Sequence, residues 1–107
     1  MDRTQFDTLV AAARARQDSL LAAKGADYTR HDPDRLASFK RLAKELGVDP
    51  RIVWAVYAGK HWDAIVAYVK TGRAESEALQ GRLDDLANYL HLLEGLVTEG
   101  ELPYADR

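Results

Sequence analysis

The sequence predicts an all-α fold, a single four-helix, bundle-like domain, and three observations predict it. Only three prolines occur, at positions 33, 50 and 103, and two of them follow an aspartate at a point where a helix would open. No alternating apolar–polar run of useful length is present, so strands are not expected. Apolar residues recur instead three and four apart, in stretches that end at glycine.

The first helix is expected over about 5–24, with Thr4 as N-cap, Asp7 three residues on, and Gly25 just past its end. Phe6, Leu9, Val10, Ala13 and Leu20 form its apolar stripe. A polar connection follows from Gly25 to His31. Asp32-Pro33 reads as N-cap and first helical position of a second helix over 33–46, with Leu36, Phe39, Leu42, Ala43 and Leu46 on one face and Gly47 as its stop. Asp49-Pro50 repeats the signal and opens a third helix over 50–70, stopped by Gly72. A fourth covers about 74–98, stopped by Gly100, before a polar tail.

At 107 residues one compact domain is expected. The absence of cysteine excludes a disulfide framework, a thiolate nucleophile and a Cys-based zinc site. A net charge of −2 argues against a dedicated nucleic-acid binder, and no apolar run approaches the roughly 20 residues that span a bilayer. The charges within Met1–Gln5 are unlike an export signal, so a cytoplasmic protein is expected. The balance is uneven: residues 1–50 hold 9 basic and 8 acidic groups, and residues 51–107 hold 6 and 9.

The fourth helix carries the acidic surplus. Leu79, Leu83, Leu86, Leu90, Leu93 and Val97 share its apolar face, expected to turn inward. On the opposite side Glu77, Asp84, Asn88 and His91 fall within roughly 60°, with Asp85 and Tyr89 on the shoulder. Glu77 and Asp84 are two turns apart and address a common point, where a hard cation held by oxygen relieves their repulsion. Mg²⁺ is expected, with Mn²⁺ as its substitute, because only oxygen ligands and His are on offer. The alternative is a solvated acidic face. The third helix is apolar nearly all round, which suits a central helix or one shared with a second subunit. Lys60, His61 and Asp63 interrupt it within one turn, either as part of a site or as a Lys60–Asp63 pair. Trp54 and Trp62 read as core, as a subunit contact or as a stacking surface for a base.

Three motifs in order resemble a known family. Lys24-Gly25-Ala26-Asp27-Tyr28 is like its Lys-x-x-Asp-Tyr-Gly. Lys60-His61 resembles the lysine of its central helix, and Ser76-Glu77 with Asp85-Leu86-Ala87-Asn88-Tyr89 is like its Ser-Glu and Asp-Leu-x-Asn-Tyr pair. The family is the nucleotide-modification-associated domain of phage and bacterial proteins, itself distantly similar to the MazG-like and dimeric dUTPase all-α nucleotide pyrophosphohydrolases. The resemblance covers residues 24–90. Thr29 stands where the family has glycine, and the early Glu-x-x-Glu pair of the pyrophosphohydrolases has no counterpart here.

This resemblance implies a helical homo-oligomer that handles a nucleotide or a related small anion in a bacterial cytoplasm. As an enzyme it would be a Mg²⁺-dependent (pyro)phosphohydrolase. Glu77 and Asp85, with Asp84 and Asp63 in support, would hold the metal, and Lys60 would neutralise phosphoryl charge. Asp27, Tyr28, His61, Trp62, Asn88 and Tyr89 would hold the ligand. The alternatives are a non-catalytic nucleotide-binding or sequestering module, and a helical assembly or regulatory protein. A helix-turn-helix reading of Leu46-Gly47-Val48-Asp49-Pro50 fails on the next helix, which is too apolar for a major groove.

Overall fold

The computed structural model describes residues 1–30, 32–74 and 78–100, and of 26–28 the backbone alone. Four helices make up these residues: α1 (Arg3–Tyr28), α2 (Ala37–Leu46), α3 (Pro50–Thr71) and α4 (Leu79–Glu99). No strand occurs among the described residues, and none of their helices is long and apolar enough to cross a membrane.

The local signals decide most helix ends. Asp49 caps α3 as expected, its Oδ1 accepting from the Arg51 N–H at 2.8 Å, with Pro50 at the first helical position. Gly47 and Gly72 end α2 and α3 in the left-handed region, at φ 68° and 74°. Two starts differ from expectation. Asp2, not Thr4, caps α1: Asp2 Oδ1 accepts from the Gln5 N–H and Gln5 Oε1 accepts from the Asp2 N–H, both at 2.8 Å. Asp32 makes a turn rather than a helix cap, because its carboxylate accepts from the Asp34 N–H and the Asp34 carboxylate accepts from Leu36, so α2 begins only at Ala37.

Gly25 also departs from its expected role. It lies inside α1, buried, with the Arg35 side chain across it, where a Cβ would come within 2.8 Å of Arg35 Nε. A glycine there lets α1 continue for one more turn beneath the start of α2. Thr29 is buried with its hydroxyl donating to the Gly25 carbonyl at 2.7 Å. Arg30, at φ 53°, then turns the chain away.

The core is small and sits where α2, α3 and α4 meet: Leu36, Phe39, Ala43, Val53 and Leu96, flanked by Leu42, Trp54, Tyr89 and Leu92. Phe39 packs against Tyr57 and Tyr89, each with ring centroids 6.3 Å away. Trp54 Nε1 donates to the Tyr89 carbonyl at 2.6 Å and fixes α3 against α4. Lys40 bridges Asp34 and Glu99, tying α2 to the end of α4.

α4 contradicts the expected orientation. Its buried residues are Asp84, Asn88 and Leu96, while Leu83 and Leu90 are exposed. Asp84 and Asn88 of the polar face expected outside pack on α1, and of the leucine face expected inside Leu83 and Leu90 are exposed while Leu79, Leu86, Leu93 and Val97 are only partly covered. α3 is likewise not enclosed: it buries Val53 and Ala58 against its neighbours and exposes Ile52, Val56, Trp62 and Val69.

Candidate ligand pocket

The inward face of α4 divides between two tasks. Asp84, only 3% exposed, accepts from Arg16 through Nε at 2.9 Å and Nη2 at 3.3 Å, and from Gln17 Nε2 at 3.0 Å. One turn on, Asn88 Nδ2 donates to the Gln17 carbonyl at 3.0 Å. The Arg16 hydrogen bond holds the Asp84 carboxyl below its ordinary value; burial opposes this and the Gln17 bond assists it. These contacts seal α1 to α4 by charge-assisted hydrogen bonding rather than by apolar area.

Beside that seam all four helices enclose a cavity of about 520 Å³. Leu20, Leu21 and Lys24 face it from α1, with Arg30 beyond the helix end. Arg35 and the α2 residues Ser38, Phe39, Arg41 and Leu42 form a second wall. Tyr57, Lys60 and His61 come from α3, and Arg82, Asp85, Asn88, Tyr89 and Leu92 from α4. Among these lining residues six are Lys or Arg and one, Asp85, is a carboxylate. In a chain of net charge −2 that is a strong local reversal of sign.

The polar groups are organised. Lys24 Nζ contacts Asp85 Oδ1 at 2.5 Å. Arg82 Nη1 lies 3.3 Å from His61 Nδ1, a hydrogen bond that requires the ring hydrogen on Nε2. The Asp85 Oδ2 is 4.0 Å from the same His61 nitrogen. The His61 ring lies 5.2 Å from that of Tyr89, so Phe39, Tyr57, Tyr89 and His61 make a continuous aromatic wall in the cavity. Such a cavity offers positive charge for an anion and flat apolar surface for a ring.

Several expected site residues meet here: Lys60, His61, Asp85, Asn88 and Tyr89 all line the cavity. Others do not. Asp84 is occupied by Arg16 and Gln17, Asp63 is exposed, and no group of three or more His, Asp or Glu forms among the described residues. Of the expected metal set of Glu77, Asp84, Asp85 and Asp63, the three described members are not brought together, because α4 turns Asp84 into the α1 seam and Asp63 is exposed. Trp62 does not line the cavity but lies exposed on the outer side of α3, which sets aside the core reading and leaves those of a subunit contact or a stacking surface, and no ion pair joins the described Lys60 and Asp63. Glu77, Ser76, His31 and the side chains of Asp27 and Tyr28 lie outside the described residues.

No protein-family model, curated protein or solved structure matches the chain.

The sequence reading missed Arg35, Arg41 and Arg82. One signal for the first was available: Arg35, Ser38, Phe39 and Leu42 share one face by three- and four-residue spacing.

Proposed function

We propose that this protein binds a nucleotide, or a closely related phosphorylated small molecule, in the cavity among its four helices. The observation that carries this reading is the six-to-one excess of cationic over carboxylate side chains among the described residues around an aromatic-walled cavity, in a chain of net charge −2. Arg35, Arg41, Lys60 and Arg82 are the groups suited to phosphate oxygens, as point charge or as bidentate fork. Phe39, Tyr57 and Tyr89 would hold the base.

Binding is favoured over metal-assisted hydrolysis by the donor set. Asp85 is the one carboxylate among the described lining residues, and it lies against Lys24. The described residues thus do not fit a Mg²⁺ cage, whereas they suit an anion directly.

The test is calorimetry and thermal shift against nucleoside mono-, di- and triphosphates, with and without Mg²⁺. Affinity should rise with phosphate number, fall with salt, and drop about 10-fold or more in Lys60→Ala and in Arg35→Ala, as expected for loss of one charged hydrogen bond. A melting temperature indifferent to every nucleotide would remove the proposal. Pyrophosphate release requiring Mg²⁺ would replace it with the hydrolytic reading.

A further inference from the structure

The outer side of α3 carries Ile52, Ala55, Gly59, Trp62, Val66 and Val69, alternately three and four residues apart. The outward stripe of α4 alternates in the same way through Leu79, Leu83, Leu86, Leu90, Leu93 and Val97. This 3.5-residue repeat is the pattern by which a helix packs along its whole length against another helix. Neither stripe makes the α3–α4 contact. That contact uses Trp54 and His61 on α3 against Tyr89 and Asp85 on α4, pairings that run in opposite directions and so make the helices antiparallel.

At 100° per residue each stripe lies roughly 100° from this contact. Because the helices are antiparallel, the two rotations bring both stripes out on the same side of the pair. The result is an uncovered apolar face two helices wide. Ile52, Trp62, Val69, Leu83 and Leu90 on it are between 46% and 77% exposed.

We infer that this face is the dimer interface, and that a second copy of the chain covers it to complete a four-helix core from two α3–α4 pairs. Three observations select a copy of the same chain. The five exposed side chains and the half-covered Val66, Leu79, Leu86, Leu93 and Val97 beside them run the length of both helices, as a stable interface of ~800 Å² per partner requires. Neither stripe itself contains a charge, and the exposed charges beside them are of both signs, Lys70 and Asp63 on α3 and Glu94 on α4, so like charges need not meet across a two-fold. It is also complementary in shape to itself: Trp62 projects beside Ala55 and Gly59, and nothing lies within 4 Å of a Cβ built on Gly59. The exposed Asp63 and Lys70 on α3 and Glu94 on α4 give it a charged border of both signs, which suits an interface rim. Tyr57 and His61 leave α3 on the other side, so each copy keeps its own outward-facing pocket. The dimer therefore stands or falls independently of nucleotide binding.

Sedimentation equilibrium of the full chain at micromolar concentration should give twice 12.0 kDa. Trp62→Glu and Leu90→Glu should each return the mass to that of one chain while the helical circular dichroism persists. The cysteine-free sequence allows a second measurement that does not depend on those variants folding. Of Ala55→Cys, Gly59→Cys and Trp62→Cys, at least one should oxidise to a disulfide-linked dimer, and Glu45→Cys on α2 should not. A wild-type chain that stays monomeric overturns the inference. So does a dimer that survives both glutamate variants, or cross-linking at Glu45→Cys with none at the three α3 positions.

Discussion

The two sides of α4 invert the usual arrangement. Toward α1 it buries Asp84 and Asn88 and satisfies them with Arg16 and Gln17; away from the bundle it exposes Leu83 and Leu90. One side is held by directional, charge-assisted bonds, the other carries apolar area that is only partly covered. The difference teaches that amphipathic spacing identifies two faces of a helix but does not say which is covered. The partner decides, and here α1 supplies polar groups matched to the polar face.

That contrast can be broken from either side. The largest effect is expected where apolar packing does hold α4: Trp54→Ala removes an aromatic packed on the core and its bond to the Tyr89 carbonyl, and should cost about 3–5 kcal/mol in urea unfolding. Asp84→Ala tests the polar seam. It strands Gln17 and the half-buried guanidinium of Arg16, and should cost about 1–3 kcal/mol; an unchanged midpoint would show that the seam contributes nothing net.

The same seam should be sensitive to acid. The Asp84 carboxyl is held below its ordinary value of 3.8, so its contribution is fully present above that value and is lost as the pH falls through its lower folded-state value. Unfolding followed from pH 7 downward should lose stability in that low window, and Asp84→Asn should flatten the loss. A smaller effect, about 1 kcal/mol, is expected from Asp49→Ala, which removes the α3 cap. The smallest belongs to Phe6→Ser on the exposed first turns of α1, within about 0.5 kcal/mol.

The local features were legible in the sequence. Gly47, Gly72 and Asp49-Pro50 act within one turn of backbone, so their meaning depends on nothing distant. Asp32-Pro33 misleads because the same carboxylate geometry serves a turn as well as a cap, and Asp34 competes for the next N–H. The candidate site was half legible. Lys60, His61, Asp85, Asn88 and Tyr89 stand out as polar or aromatic groups on otherwise apolar helices. Asp84 looked equally suited to a site, but its partners Arg16 and Gln17 are 68 and 67 residues away in sequence, a distance no spacing rule spans. The cations Arg35, Arg41 and Arg82 read as ordinary surface charge until the fold gathers them.

The way α1 is fastened has a further consequence for motion. Its attachment rests on a few side-chain bonds at Arg16, Gln17 and Lys24, with its first turns open to water. In hydrogen exchange its exposed first half should open first, before the α2–α3–α4 core lets go. Leu20, Leu21 and Lys24 are also a wall of the cavity, so each opening of α1 removes one side of the pocket. A ligand spanning that wall and the cations of α3 and α4 must slow amide exchange along α1. Its affinity and the protection it confers there are two measurements of one free energy.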